Sequence, residues 1–324
     1  MKPNLPLTLL GAALLAVPAV FGQATSGVMG FSNVTCPVGT SVIVPSLVNA
    51  NVFQGQAAIS PDGLTITPAT APGWTVGAYN ATAFAAPTRN YPKFYAEIVS
   101  GASEGLVLDI SSNTTTALTM ASAVSPSGLR GTTVQIAIRA HVTLDSIIAG
   151  ATGLSAYADS VNVYNSNGST STRIFDGASW VDEGGSNPAG HTVIYPGTGL
   201  VCSMTNPVTF TFMGEVKPTK TQIPMFAGAI NIVAPLNPAS STLLYNNTSL
   251  VAALGDPYAA GINRFSADGQ MVIVGSNFSD GSSMTDSSGT PLAPGATDAI
   301  ETNRGVVISV AGDAVWTVNS PLAP

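Results

Sequence analysis

The chain has 324 residues, a formal net charge of −7 and only ten Lys and Arg residues. Asp, Glu, Lys and Arg together make up 8% of it, against about 25% in an average soluble domain. So few, scattered basic residues form no patch for nucleic acid or for an anionic membrane surface, which argues against both partners. A weakly charged surface is instead suited to packing against copies of the same chain.

The first 24 residues are predicted to be a secretory signal peptide. Lys2 supplies the charged start, an apolar run extends from Leu5 to Phe21, and small residues follow at the expected cleavage position. Pro6 and Pro18 interrupt the apolar run, which disfavours an uncleaved anchor helix. We therefore expect an exported protein, extracellular, at the cell surface or in the periplasm, with no membrane span in the mature chain.

Strand patterns dominate the chain after this segment. A hairpin is predicted at residues 57–66, where Pro61-Asp62-Gly63 supplies the turn. The clearest pattern is a meander at residues 93–120, in which three β-prone runs are divided by Gly- and Asn-containing turns. Another alternating run follows at residues 132–143. Residues 25–140 are therefore expected to form a β-barrel-like N-terminal domain.

Two later parts of the chain resemble each other. Tyr157–Tyr164 matches Tyr258–Phe265, and Phe175–Gly177 matches Phe278–Gly281. The spacing between matched residues grows along the chain, as insertions in loops would cause. The pattern predicts an internal duplication in the C-terminal two-thirds, with a first β unit at 141–213 and a second, related unit at 214–324.

The expected fold class is therefore all-β, built from small β-barrel or β-sandwich units. A helical period is not sustained anywhere in the mature chain. Short helices of one or two turns are expected only near Leu144 and Leu250.

Several turn and strand phrases carry a resemblance to a known family. They are Tyr95–Gly105, Asn113–Thr119, Ala158–Val161, Phe175–Val181, Tyr195–Gly199 and Phe212–Val216. In these phrases the chain resembles an uncharacterised family of secreted, β-rich proteins that occur in multiple copies in Verrucomicrobia-type bacteria. The resemblance implies export and β structure, and the family carries no agreed function.

The two cysteines, Cys36 and Cys202, leave two alternatives open. In an oxidising compartment they could form one disulfide between the first and middle regions, worth at most about 5 kcal/mol in the chain-entropy model. They could equally be two buried thiols that pack as small hydrophobic groups. Connectivity cannot be read from the sequence.

No stretch of the sequence carries a convincing catalytic constellation. Gly101–Gly105 fits the G-x-S-x-G pattern of a hydrolase, but that motif needs a helix after the serine, and the next residues alternate like a strand. His141 and His191 are the only histidines, and both are expected at the surface. Their distance along the chain and the absence of a Cys/His cluster argue against a zinc site. We therefore expect a protein that is not an enzyme.

Two local patterns could bind a ligand. Trp180, Asp182 and Glu183 lie in a Gly/Ser-rich stretch and could contact a polysaccharide, although a solvated hairpin tip explains them as well. The polar loop from Asp280 to Asp286 could hold calcium through oxygen ligands, but its spacing fits no EF-hand. No other cofactor is indicated.

The signal peptide, the β units, the sparse charge and the lack of a catalytic site predict a structural or adhesive protein of the cell surface or extracellular matrix. It would act by self-association, as a homo-oligomer or polymer, or by contact with neighbouring surfaces, through unpaired strand edges. The alternative is a secreted carbohydrate-binding or glycan-processing protein, with Trp180, Asp182 and Glu183 as its first contact residues.

Overall fold

The computed structural model describes residues 27–85, 88–165, 167–244, 247–255, 258–294 and 298–322, so the predicted signal peptide lies outside the described residues. Within these ranges the chain is all-β, as predicted, apart from a 3₁₀ turn and the short helices α1 (Leu144–Ile148) and α2 (Thr248–Leu254). The two helices occupy the positions at which the sequence predicts them.

The strands follow one another closely along the chain. The first ten are β1 (Met29–Cys36), β2 (Gly39–Ile43), β3 (Asn51–Ile59), β4 (Thr65–Pro68), β5 (Thr82–Ala85), β6 (Thr88–Tyr91), β7 (Phe94–Ile98), β8 (Val107–Asn113), β9 (Leu118–Met120) and β10 (Thr133–Ala140). The next eight are β11 (Val142–Thr143), β12 (Ser160–Tyr164), β13 (Thr170–Phe175), β14 (Trp180–Asp182), β15 (Val193–Ile194), β16 (Leu200–Met204), β17 (Val208–Glu215) and β18 (Thr221–Met225). The last eight are β19 (Asn231–Val233), β20 (Thr242–Leu243), β21 (Gly261–Phe265), β22 (Ile273–Ser279), β23 (Met284–Thr285), β24 (Ala299–Ile300), β25 (Val306–Ser309) and β26 (Ala314–Val318).

Six of the strands close into a barrel in the order β10-β3-β4-β9-β8-β7. The predicted meander is confirmed as β7, β8 and β9, and the predicted hairpin as β3 and β4. Alternate side chains of each strand point inward, because successive residues face opposite sides of a sheet. They fill the barrel with a core that includes the buried residues Ile66, Ile98, Ile110, Leu118 and Ile136.

The first two strands hydrogen-bond outside the barrel. β1 pairs along its whole length with β17, and β2 pairs with β16. The barrel strands therefore lie along the chain between β2 and β11, both of which pair elsewhere. The domain bounds of 25–140, 141–213 and 214–324 stay a prediction. Strands β1 and β2, at residues 29–43, belong to the first of these ranges but hydrogen-bond to strands of the middle region.

Two five-stranded sheets have the same strand order. The first sheet is β14-β13-β12-β16-β2, and the second sheet is β23-β22-β21-β25-β19. The first is accompanied by α1 and by the pairs β11–β15 and β1–β17, the second by α2 and by the pairs β20–β24 and β18–β26. In chain order, each of these elements has a counterpart in the other set. An internal duplication would produce this correspondence, and the duplication itself stays a prediction.

The two sheets cover each other's edges. Gly199, just before β16, donates its N–H to the carbonyl of Ile232 in β19 at 2.9 Å. Conversely, Asn303, just before β25, accepts a hydrogen bond from the N–H of Val44, next to β2, at 3.0 Å. A Cβ on Gly199 would come within 2.5 Å of the Ile232 side chain, so the crossing of the sheets requires glycine there. Because buried side chains of both sheets share one core cluster, the two sheets pack together.

Candidate functional site

A groove of about 780 Å³ lies where the barrel meets the two sheets. Val107 and Asp109 contribute from barrel strand β8, Tyr195 from the segment between β15 and β16, and Phe226 and Ile230 from the segment between β18 and β19. Ligand sites in proteins usually have volumes of roughly 300–1,000 Å³ and often lie between domains. The groove therefore has the size and the position of a binding site.

The groove is lined mainly by hydrocarbon and aromatic side chains. They include Val107, Val163, Tyr164, Phe226, Ile230 and Val315. Asp109 is the one charged side chain among the lining residues that the structure describes. Of the polar lining residues, Asn231 bonds to the backbone of its own loop and of β25. The groove thus offers apolar walls and a single carboxylate.

Two neighbours hold the Asp109 carboxylate in place. The Tyr195 hydroxyl donates to Oδ2 at 2.6 Å, and His141 Nε2 meets Oδ1 at 3.0 Å. Burial and the nearby carboxylate raise the pKa of Tyr195, so this phenol remains a hydrogen-bond donor at neutral pH. Asp109 itself retains a side-chain exposure of 25%, so part of the carboxylate faces the groove.

His141 is buried, which corrects the prediction that it lies at the surface. It is 4% exposed, and its ring lies 4.8 Å from that of Tyr95. Among the described residues its Nδ1 has no hydrogen-bond partner, so we take Nε2 as the nitrogen that donates to Asp109. The sequence places His141 correctly on the outward side of the barrel wall, but another part of the chain covers that side. His141 therefore orients Asp109 and does not itself reach the groove.

Four charged side chains are buried together on the same outward side of the barrel. Arg139 Nε lies 3.1 Å from Glu97 Oε2, and one of its terminal nitrogens lies 2.5 Å from Glu215 Oε2. Lys217 Nζ lies 2.6 Å from Glu97 Oε1. None of the four is more than 3% exposed. We call these residues the buried ion cluster; its two positive and two negative groups balance formally.

The pKa shifts in the cluster follow from burial and pairing. Burial lowers the pKa of the Lys217 ammonium, and the Glu97 carboxylate opposes this shift. Burial acts on Arg139 in the same direction, but the carboxylates of Glu215 and Glu97 outweigh it and raise the Arg139 pKa. Glu97 and Arg139 belong to the barrel, whereas Glu215 and Lys217 lie where the chain passes from β17 towards β18. The cluster therefore joins the barrel to the junction of the two sheets.

The predicted glycan residues lie apart from the groove lining. Trp180 is fully buried in the core of the first sheet, so its ring has no free face for stacking on a sugar. The Asp182 carboxylate accepts hydrogen bonds from the Asn187 side chain and from backbone N–H groups of its turn, and the Asn187 bond is the main cause of its lowered pKa. Glu183 is exposed at the same turn. Asp182 and Glu183 thus lie in a solvated hairpin tip, which is the alternative to a glycan site that the sequence offers. Glycan contact by these two residues stays a prediction.

Cys36 and Cys202 lie side by side in the core of the first sheet as unpaired thiols. The side-chain hydrogen bond with Cys202 lowers the pKa of Cys36, while burial raises that of Cys202. The guanidinium of Arg304, which also donates to the Thr35 carbonyl at 2.8 Å, acts on Cys36 in the same direction as this hydrogen bond. The sequence could not place these two thiols together, because β1 and β16 meet only through the fold.

The proposed calcium loop is organised by its own hydrogen bonds. Asp280 accepts from the backbone and hydroxyl groups of Ser282 and Ser283, and Asp286 accepts from those of Ser288. Within the described ranges, no group of three or more His, Cys, Asp or Glu side chains is placed to hold a metal ion. The Gly101–Gly105 motif leads into strand β8 and not into a helix, as the sequence predicts.

Compared with models of known protein families, with curated proteins and with solved structures, the chain matches none. In the part of the chain that the structure describes, no helix is long and apolar enough to cross a membrane. Evidence on function therefore comes from the surfaces and cavities of the molecule itself.

Proposed function

We propose that this chain is an exported structural or adhesive protein of the cell surface or extracellular matrix that acts by self-association. The observation that carries the proposal is an exposed apolar strand edge at the beginning of β22. Val272, Ile273 and Val274 are 58%, 57% and 55% exposed. Four consecutive exposed apolar residues, counting Met271 at 38%, are unusual at the edge of a five-stranded sheet whose other edges are covered.

The outermost strands of both sheets are short and blocked by proline. Val181 in β14 is bridged to Pro188, and Thr285 in β23 is bridged to Pro291. Proline has no N–H, so it cannot extend a hydrogen-bond ladder to another strand. At the opposite end, each sheet is covered by the other. These features limit the places where a further strand could add to the two five-stranded sheets.

The beginning of β22 escapes this protection. β23 pairs with β22 only at Phe278 and Ser279, so Ile273–Asn277 has no strand partner on that side among the described residues. The counterpart in the first sheet is the beginning of β13, where β14 pairs only from Arg173 onwards. There the unpaired residues are polar, Thr170–Thr172. Only the second sheet thus combines a free edge with an apolar segment.

A second copy of the same chain is the partner that this edge fits best. Two antiparallel copies of Val272–Val274 would align valine with valine around Ile273, so the segment is complementary to itself. Backbone N–H and C=O groups would continue the sheet across the contact. The chain has only 8% charged residues, which leaves little repulsion to oppose such a contact.

A second apolar surface would allow chains of copies to grow beyond pairs. Phe31 in β1 and Met213 in β17 are directly paired across the two strands and are 73% and 68% exposed. Val28 and Met29 extend the patch at 54% and 58%. A molecule with two self-complementary surfaces forms a polymer, whereas one surface gives only a dimer.

Sedimentation velocity over a concentration series, combined with negative-stain electron microscopy, tests the proposal on the protein without its predicted signal peptide. Wild-type protein should form polymers or sheets. Val274→Lys and Phe31→Lys should each stop at dimers, and the combined variant should stay monomeric. Val52→Lys is the matched control, because Val52 is 55% exposed but lies on barrel strand β3. Polymers formed by Val274→Lys as readily as by wild type, or monomeric wild-type protein, would contradict the proposal.

A further inference from the structure

We propose that the groove at the junction of the barrel and the two sheets binds an amphiphilic amine, that is, a molecule with a hydrocarbon body and a cationic head that pairs with Asp109. This site is separate from the strand edge and does not depend on self-association. The groove combines an apolar lining with a single carboxylate that two neighbours hold in place.

The walls of the groove favour a hydrocarbon body. Ile230 and Val315 are 46% and 50% exposed, although the chain has ample polar residues for a solvent-facing surface. Tyr164 and Phe226 add aromatic side chains to the lining. Apolar side chains that stay wet in the empty protein gain free energy when a ligand covers them, at roughly 25 cal/mol for each Å² of apolar surface removed from water.

The head group is selected by the unused acceptor capacity of Asp109. A carboxylate has about four acceptor positions, and the described partners, Tyr195 and His141, use two of them. Both partners donate, so they fix the orientation of Asp109 and leave its other acceptor positions open. An ammonium group with three N–H donors would complete the shell and add charge attraction, whereas a carboxylate head would be repelled.

The geometry also explains why the carboxylate points in one direction. Asp109 lies between the inward-facing residues Leu108 and Ile110 of β8, so it must face out of the barrel. His141 is buried behind it and Tyr195 lies beside it in the groove lining. A head group that enters the groove therefore meets an acceptor that is already oriented, which lowers the entropy lost on binding.

Binding of dodecylamine, dodecanol and dodecanoate, measured by isothermal titration calorimetry below the concentrations at which they aggregate, tests this assignment. The three probes share one hydrocarbon chain and differ only in the head group. The full chain without its predicted signal peptide should bind dodecylamine at least about tenfold more tightly than dodecanol, as expected for a charge-assisted hydrogen bond, and dodecanoate most weakly.

Three variants localise the effect. Asp109→Asn keeps the size of the side chain and one acceptor oxygen for His141, and its NH2 group can donate to the Tyr195 hydroxyl in place of the bond that this hydroxyl now donates. The variant should abolish the preference for the amine. Asp62→Asn removes the same charge from an exposed turn elsewhere on the barrel and should leave all three affinities unchanged. Ile230→Glu, at another lining residue of the groove, should weaken dodecanol and dodecanoate binding at least about tenfold by disrupting the apolar surface. An amine preference that persists in Asp109→Asn, equal affinities for the three probes, or no binding of dodecylamine to wild-type protein would overturn the proposal.

Discussion

Replacing Arg139 by methionine is expected to lower the free energy of unfolding by about 3–5 kcal/mol, because it breaks a buried charge pair on one side only. Arg139 donates to Glu97 at 3.1 Å, to Glu215 at 2.5 Å and to the Asn49 carbonyl at 2.8 Å. Hydrogen bonds to charged partners contribute about 1.5–3 kcal/mol each, so two of them account for this range. Glu97 would still have Lys217, whereas Glu215 would be left 3% exposed without its cationic partner.

Urea denaturation followed by tryptophan fluorescence measures the effect, and Lys220→Met supplies the matched control. Lys220 pairs with Glu104 at 3.8 Å, but its side chain is 43% exposed. Exposed pairs of this kind contribute about 0–1 kcal/mol, so the same chemical change should have little effect there. A loss of less than about 1 kcal/mol in Arg139→Met would mean that the cluster is hydrated or unpaired in solution, contrary to this expectation.

Replacing all four members of the buried ion cluster by apolar residues of similar volume distinguishes two causes of instability, an unpaired buried charge and the loss of the ionic hydrogen bonds. Such replacements are often neutral or stabilising by about 1–4 kcal/mol, because no desolvated charge remains. Recovery of wild-type stability in that variant would show that Arg139→Met is harmful because it leaves carboxylates unpaired. A loss equal to or greater than that of Arg139→Met would instead mean that the junction needs the ionic hydrogen bonds themselves.

Three further predictions concern separate features. Under oxidising conditions Cys36 and Cys202 should form a disulfide, which mass spectrometry would detect as the loss of two hydrogen atoms. Reduction of this disulfide should lower the free energy of unfolding by up to about 5 kcal/mol. Two free thiols after oxidation would contradict this prediction. Hydrogen bonds from the backbone and hydroxyl groups of the next two serines hold the pKa of Asp280 below its ordinary 3.8. The ionised carboxylate therefore stabilises the folded protein fully above pH 3.8, and this contribution is lost as the pH falls through the folded-state pKa. The free energy of unfolding should therefore depend less on pH in the acid range in Asp280→Ala than in wild type. An unchanged pH dependence would contradict a stabilising role for the Asp280 hydrogen bonds. Gly199→Ala should lower the free energy of unfolding by about 1–3 kcal/mol, because the added methyl group overpacks the crossing of the sheets. Gly312→Ala is the control, because no atom beyond its chain neighbours lies within 4 Å of an added Cβ there, and it should change thermal stability little. Equal effects of the two substitutions would disprove the close approach of the sheets.

The barrel could be predicted from the sequence because its signals are local. Alternation at Phe94–Ile98 and Val107–Asn113, separated by a glycine-rich turn, fixes both the strands and their inward faces. The pairing of β1 with β17 joins residues more than half the chain apart, and no local pattern encodes it. The correspondence of the two sheets could be predicted only where the sequences still match, around Tyr157 and Tyr258 and around Phe175 and Phe278.

The candidate site could not be predicted, for a different physical reason. Glu97, Asp109 and His141 face outward from the barrel, and polar residues on an outward face are normally solvated. Here the sheets and their connections cover that face, so the same residues become a buried ion cluster and an oriented carboxylate. The groove takes its walls from many separate parts of the chain, between Tyr91 and Val315, which only the fold brings together. By contrast, the sequence suggests Trp180 as a glycan contact because its side chain is large and aromatic, but this side chain is buried in the core of the first sheet.

Self-association through the strand edge at β22 can be followed by amide hydrogen exchange with mass spectrometry, on dilute and on concentrated protein. If copies join through the strand edge, amides in Val272–Asn277 should exchange more slowly in concentrated protein, because their N–H groups become hydrogen-bonded to another copy. The polar counterpart at Thr170–Thr172 should exchange at the same rate in both samples. Association without added protection in β22, or protection that appears elsewhere on the surface instead, would contradict the account.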